Sequence, residues 1–457
     1  MSLISDPQGG AGAVSGSPSG EQPRPSFAEA VAAWARIGVL SFGGPAGQIA
    51  LMHRVTVDEK KWLREEQFLP ALNFCMLLPG PEAMQLATYI GWRLHGVAGG
   101  LAAGLLFVLP GAALIAVLAS IYAAVGQVPL VAAVFVGIKA AVLAIVIDAL
   151  LKVSKRALKG PFDLAIAVAA FVAIFMLRVP FPLIILAAAI AGVVAMAFGA
   201  GGRAGVEAAR ASRTGSKTPP PNVTLSETAR TIAIWLFIWI APLAAMALAL
   251  GSDHILSQIG LFFSKLAVVT FGGAYAVLAY MSQEVVQNFA WLSSGEMLDS
   301  LGLAETTPGP LILVTEFVGF LAAFKAGGWG LAMAAAVVTL WATFAPCFLW
   351  IFAGAPYVEW LNAQPRLKAA LAAITAAVVG VIANLAVWFG LSVLFGERGN
   401  PREGLVADVI ARADVMAIAL FGLATVLLLF ARAGVLTTLG VAAGAALAAH
   451  LAGLTIG

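Results

Sequence analysis

FGGPAGQIALMHRVTVDEKKWLREEQFLPALNFCMLLPGP (residues 42–81) returns 229 positions later as FGGAYAVLAYMSQEVVQNFAWLSSGEMLDSLGLAETTPGP (residues 271–310). No gap is needed: Phe42, Gly43 and Gly44 fall on Phe271, Gly272 and Gly273, and Pro79, Gly80 and Pro81 fall on Pro308, Gly309 and Pro310. Met52 lands on Met281, Trp62 on Trp291, Leu63 on Leu292 and Leu72 on Leu301. Of the 40 positions 13 are identical, where chance gives roughly three. The chain is an internal duplication, and its fold is one half built twice.

What kind of half follows from the surroundings. Hydrophobic residues make up 61% of the 457 and charged ones 11%, and the mean hydropathy is +0.97. No soluble domain needs so much apolar surface. A helix crosses a hydrocarbon core of roughly 30 Å with about 20 apolar residues, and the first half offers such blocks at about 27–57, 65–93, 97–125, 128–152, 162–178 and 180–199. The second half repeats the rhythm near 254–286, 295–323, 328–354, 366–396, 411–431 and 434–454. The expected organisation is a disordered Gly/Ser/Pro tail (1–26), a first membrane repeat (27–199), a cytoplasmic linker (200–228), one connecting transmembrane helix (229–250) and a second repeat (251–457). The fold class is all-α polytopic integral membrane protein. If each half crosses an even number of times, the single connecting span turns the second half over, giving an inverted-topology repeat with broken or re-entrant helices.

Basic loops suggest the orientation. Lys152, Lys155, Arg156 and Lys159 after one span, and Arg203, Arg210, Arg213 and Lys217 in the linker, are expected on the cytoplasmic side. The two spans between them form a hairpin around Arg178, Val179 and Pro180. The basic run from His53 to Arg64 falls outside on a simple count, which points to re-entrant early segments.

Chemistry belongs where backbone regularity fails inside the membrane, because an unpaired peptide group costs several kcal/mol in lipid and persists only beside protein or a wet cavity. Gly-Gly and Pro-Gly-Pro are such failures. Pro81 and Pro310 suit the first position of a new half-helix, whose free N–H groups and positive dipole end favour an oxyanion. The alternative reading is that the glycines only permit close helix packing; four breaks in register favour the site.

Around the first Pro-Gly-Pro, Glu82, Gln85 and Tyr89 share a helical stripe expected to face the cavity. The second half has Leu311 where the first has Glu82 and carries Glu316 further along. A carboxylate within a span costs about 2.5–3.5 kcal/mol on insertion scales and is a functional candidate for that reason; for Glu82 the alternative is simple dipole stabilisation at a helix N-terminus. One half is read as handling protons and the other the anion. Lys139 and Lys368 share the 229 offset, as do Arg36 and Lys265, which each stand six residues before a Phe-Gly-Gly. Lys139, Arg36 and Lys265 are anion-attracting candidates, whereas Lys368, just after Pro365 and Arg366, reads as snorkelling to the interface. Asp148 and Asn384 are weaker candidates.

The motifs FGGP with LPGPEAMQLATYIGW, and FGGA with TPGPLILVTEFVGF, resemble the paired signatures of the chromate ion transporter family in its long, two-domain form, over nearly the whole chain from residue 30. The resemblance implies a chromate exporter of the bacterial cytoplasmic membrane that confers resistance, with sulfate, also a tetrahedral dianion, as competitor. It carries over Phe42, Gly43, Gly44, Pro45, Gln48, Pro79, Gly80, Pro81, Glu82, Gln85, Phe271, Gly272, Gly273, Pro308, Gly309 and Pro310 as substrate-binding positions. Ala274 stands where the first motif has Pro45, so the second break lacks the helix-starting proline.

Other classes are disfavoured. The balance of 26 basic against 23 acidic residues gives no nucleic-acid footprint. Cys75 and Cys347 sit in apolar stretches and read as small packing residues, and His53, His95, His254 and His450 show no metal-ligand spacing. No Walker loop, Gly-Xaa-Ser-Xaa-Gly or HExxH occurs, so neither a pump nor an intramembrane hydrolase is expected, and no cofactor. A sulfate importer and an anion channel stay open as alternatives, as does homo-oligomerisation. An inside-negative membrane gives a leaving dianion about twice the 2.3 kcal/mol available per charge per 100 mV, which favours export.

Overall fold

The computed structural model describes residues 25–126, 128–198, 223–271, 273–396 and 414–454. The proposed tail up to residue 24, most of the linker (199–222), Gly272 and the segment 397–413 lie outside the described residues.

Among the described residues all regular structure is helical. The first half runs through α1 (Phe27–Leu40), α2 (Gly44–His53), α3 (Glu65–Leu77), α4 (Glu82–Val125), α5 (Pro129–Ala157), α6 (Pro161–Phe175) and α7 (Phe181–Ala197). After the connecting helix α8 (Leu225–Leu250) come α9 (Ile255–Val269), α10 (Ala274–Gln283), α11 (Ser294–Glu305), α12 (Val314–Gly354), the short α13 (Val358–Asn362), α14 (Pro365–Phe395), α15 (Val415–Thr425) and α16 (Val435–Leu451). Among the described residues, five helical stretches are long and apolar enough to cross a membrane: Glu82–Val125, Pro129–Ala157, Leu225–Leu250, Leu311–Asn362 and Pro365–Phe395. The chain is a multi-pass helical membrane protein of two homologous halves.

Local chemistry fixes the boundaries. Ser26 caps α1 by accepting from Glu29 N, and capping boxes start α8 (Thr224 with Glu227) and α11 (Ser293 with Glu296). The duplication reaches single residues. Both α2 and α10 end in a π turn, Arg54–Glu59 and Glu284–Asn288, followed by a left-handed residue at Lys61 (φ 53°) and Ala290 (φ 50°). The hairpin bend at Arg178 (φ 54°) has its counterpart at Arg432 (φ 53°). The long α4 and α12 are each interrupted, at His95–Gly96 and Gly327–Gly328, where the sequence reading placed separate blocks.

Two corrections concern register. The shared offset of 229 lengthens after Pro-Gly-Pro: Gly96 matches Gly328, Pro129 matches Pro365 and Arg178 matches Arg432. Lys139 is therefore the counterpart of Thr375, and Lys368 is an exposed residue in the first turns of α14. Pro81 and Pro310 stand one position before the expected site, as extended N-cap residues, and Pro310 leads into a 3-10 turn (Leu311–Leu313) before α12.

Packing sorts the helices into two bodies. In the first, α1 packs on α4, α9 packs on α12, and α4 and α12 pack on each other, with the α2–α3 and α10–α11 hairpins attached. In the second, α14 packs on α6 and α7, α5 packs on α15 and α16, and α5 crosses α14. Backbone approaches are close in both, through small residues as membrane helices favour. An ideal Cβ at Gly38 would lie 2.0 Å from Leu106 O, and one at Gly380 would lie 2.1 Å from Ala167 O. The connecting helix α8 is exposed along nearly its whole length and rests on α9 and α12.

Candidate functional site

The four breaks meet in crossed pairs. Gly80 N, in the first Pro-Gly-Pro, donates to Thr270 O before the second Phe-Gly-Gly (3.1 Å), and Gly309 N, in the second Pro-Gly-Pro, donates to Ser41 O before the first (2.9 Å). Ser41 and Thr270 are equivalent, as are Gly80 and Gly309, so the contacts are reciprocal, the mark of a pseudo-twofold relation. Each hydroxyl turns back onto its own helix, Ser41 Oγ to Ile37 O (2.6 Å) and Thr270 Oγ1 to Leu266 O. The carbonyls of Ser41 and Thr270 accept across the halves. Glycine is required at Gly80 and Gly309, whose φ values of 115° and 88° a side chain would strain.

Two glutamines from the first half complete the junction. Gln48 is 1% exposed, and its Nε2 donates to Gly309 O (2.5 Å) and Ser41 O (3.3 Å). Gln85 is fully buried, and its Nε2 donates to Pro79 O (2.6 Å). The stripe of Glu82, Gln85 and Tyr89 thus divides: Gln85 and Tyr89 are buried in the scaffold, and half-buried Glu82 opens α4 at the positive end of its dipole. Flanking the junction, an ideal Cβ at Gly111 would lie 2.1 Å from Pro308 O, and one at Gly80 would lie 3.0 Å from Cys347 Sγ.

On the open side of the junction, α2 and α10 begin at Gly43 and Gly273 with no side-chain cap, and nothing lies within 4 Å of an ideal Cβ at Gly43, Gly44 or Gly273. A helix leaves its first four N–H groups without intrahelical partners. Here two uncapped N-termini border free space, α2 lacking one N–H at Pro45 and α10 using Ala276 N to donate to Gly273 O, and the N–H groups that remain suit an anion. Phe42 beside them is exposed.

The ionisable candidates distribute unevenly. Glu316 is 2% exposed and its Oε2 has no partner among the described residues. Its helix face meets the returning arm of α12, where Thr315 and Thr343 hydroxyls stand 3.4 Å apart and Thr339 Oγ1 crowds Gly319. Lys139 Nζ lies 3.5 Å from Asp299 Oδ2 and lines a cavity of about 350 Å³ that also touches Asp414. Arg36 is exposed and pairs with Glu59 (3.8 Å), and exposed Lys265 sits 5.8 Å from the Tyr280 ring centroid. Asp148 pairs with Lys152 (2.6 Å). Sequence reasoning missed Asp299, which accepts from Tyr122 OH (2.8 Å), and Glu305, which accepts from Tyr275 OH (2.9 Å). The signal was present in the repeat: Asp299 and Glu305 stand where the first half has Pro70 and Met76. No group of three His, Cys, Asp or Glu placed to hold a metal occurs among the described residues.

The same two halves are matched by the family model for chromate transporters, over residues 28–193 and 257–449. Among curated proteins, the chromate transport protein of Pseudomonas aeruginosa is 30% identical over 79% of this chain and 80% of its own length. The chromate transport protein of Cupriavidus metallidurans is 28% identical over 76% of this chain and 78% of its own. The probable chromate transport protein of Synechococcus elongatus is 28% identical over 78% of this chain and 82% of its own. No solved structure matches the chain. A duplicated membrane scaffold whose breaks converge, matched in both halves by one transporter model, places this chain in the chromate transporter family.

Proposed function

We propose that the protein is a secondary transporter that exports chromate across the bacterial cytoplasmic membrane and so confers resistance, holding the oxyanion at the uncapped N-termini of α2 and α10. The observation that carries this reading is the pair of glycine-rich helix starts facing free space beside the crossed Gly80–Thr270 and Gly309–Ser41 contacts. A tetrahedral dianion needs several N–H donors and no counter-carboxylate, and both starts lack side-chain caps. The relatives' names supply chromate as cargo. The membrane potential supplies direction, about 2.3 kcal/mol per charge per 100 mV for a leaving anion. With α8 as a single span, the halves are read as inverted across the membrane. Glu316, buried and unpartnered on one oxygen, is the carboxylate we assign to ion coupling. Sulfate is the second reading, because its charge and shape match those of chromate.

Everted vesicles containing the protein should accumulate labelled chromate when energised, with excess sulfate and an uncoupler each lowering the initial rate. No protein-dependent uptake, in vesicles shown to hold folded protein and a potential, would overturn the cargo assignment. Uptake of sulfate with chromate excluded would give the second reading.

A further inference from the structure

Each of the two bodies is internally pseudo-symmetric, yet they dock asymmetrically. The second body covers the α10–α11 hairpin: α5 and α14 both pack on α11, α14 packs on α10, and Phe181 of α7 stacks on Tyr280 at 5.0 Å. Lys139 of α5 reaches Asp299 of α11. The equivalent α2–α3 hairpin is instead held by α4 and α13, with Asn362 Nδ2 donating to Pro70 O (2.9 Å).

The difference shows at matched positions. Leu298 is 1% exposed and its counterpart Leu69 is 47% exposed. Ala279 and Gly302 are buried, whereas their counterparts Ala50 and Asn73 are exposed. Lipid is a poor occupant for the open face. Gly43 and Gly44 place the uncapped start of α2 there, Asn73 adds an amide, and unsatisfied polar groups facing hydrocarbon cost several kcal/mol each.

We propose that the exposed face of α2–α3 is a docking surface for the second body of the same chain, and that the α5/α14 face covers one hairpin at a time. The occupant is named by the repeat. Gly302 packs on Ile138 and Val142 of α5. Under the register fixed by Pro129 and Pro365, Ile138 and Val142 correspond to Ile374 and Val378 of α14, both chemically identical to their counterparts. The second docking sets Asn73 against Ile374 and Val378, frees α10–α11, and repeats the observed contact with the halves exchanged. With the halves inverted, as proposed above, the two dockings open the helix starts to opposite sides of the membrane.

Two cysteine pairs test this. An ideal Cβ at Gly302 lies 3.7 Å from Ile138 Cβ, inside the roughly 3.5–4.5 Å that a disulfide spans, so Gly302→Cys with Ile138→Cys reports the observed docking. Asn73→Cys with Ile374→Cys reports the second. Native Cys75 and Cys347 are buried and are kept, with each single-cysteine variant as control. Mild oxidation in membranes should close both pairs within one chain. In a chain carrying all four new cysteines, mass spectrometry should find either bond but no molecule with both. The readout needs no cargo, so failure of the chromate assignment leaves it intact. Closure of the first pair without the second overturns the proposal, as does a molecule holding both bonds. A bond between two chains through position 73 would make this face an interface between copies, and failure of the first pair would overturn the docking from which the proposal starts.

Discussion

Gln48→Ala should lower the initial rate of chromate uptake about ten- to a hundredfold while the folded yield stays near wild type; leaving a buried carbonyl unpaired costs about 1–3 kcal/mol, and each 1.4 kcal/mol is tenfold. Gln48 spans the halves: its amide reaches Gly309 O and Ser41 O, two of the groups at which the breaks cross. The second half has Val277 in its place, so no symmetric copy substitutes. The loss falls on the junction and not on the core, since α2 and α4 keep their apolar contacts. Gln85→Ala makes the comparison. Its amide holds Pro79 O within its own half, so it should act on the shape of one loop and cost less. Equal rates in wild type and Gln48→Ala would mean that the crossing does not depend on this side chain.

The other large effect is steric. Gly111→Val should abolish monodisperse folded protein, because even the first carbon added would lie 2.1 Å from Pro308 O and 2.6 Å from Leu313 Cδ1. Overpacking costs about 1–3 kcal/mol where side chains can move aside; here the obstacle is the backbone carbonyl of the second Pro-Gly-Pro. Gly440→Ala is the control, since nothing lies within 4 Å of its ideal Cβ, and a helical Gly-to-Ala change is worth up to about 1 kcal/mol in favour of folding. Size-exclusion profiles and thermal melts should separate the two variants clearly. A well-folded Gly111→Val protein would contradict the closeness of α4 to the second loop.

Much of this was legible in the sequence, for identifiable reasons. Glycine and proline punctuation is local, so the breaks at Gly43–Gly44, Gly80, Gly273 and Gly309 could be placed from residue type alone. The two halves were legible because a gap-free repeat survives from Phe42 to Pro81. What could not be read depended on contacts across the chain. The crossed pairing of Gly309 with Ser41 and Gln48 joins residues more than two hundred positions apart, and no local pattern encodes it. The offset of 229 was carried too far, to Lys139 and Lys368, because the residues inserted after the second Pro-Gly-Pro and between α12 and α14 leave no mark in composition. Asp299 escaped notice for a different reason: on its own helix it reads as one more acidic residue after Glu296, and only Lys139 and Tyr122, from the first half, give it a buried setting.

The family relation and the arrangement of the breaks point to one central claim, that the oxyanion is held by the backbone N–H groups where α2 and α10 begin. Chromium supplies its own label. Crystals of the protein grown with chromate, and measured at the chromium absorption edge, should show an anomalous peak within hydrogen-bonding distance of the amides at Gly43–Gly44 or at Gly273. A peak beside Lys139 in the cavity it lines, or no peak at saturating chromate, would contradict the account.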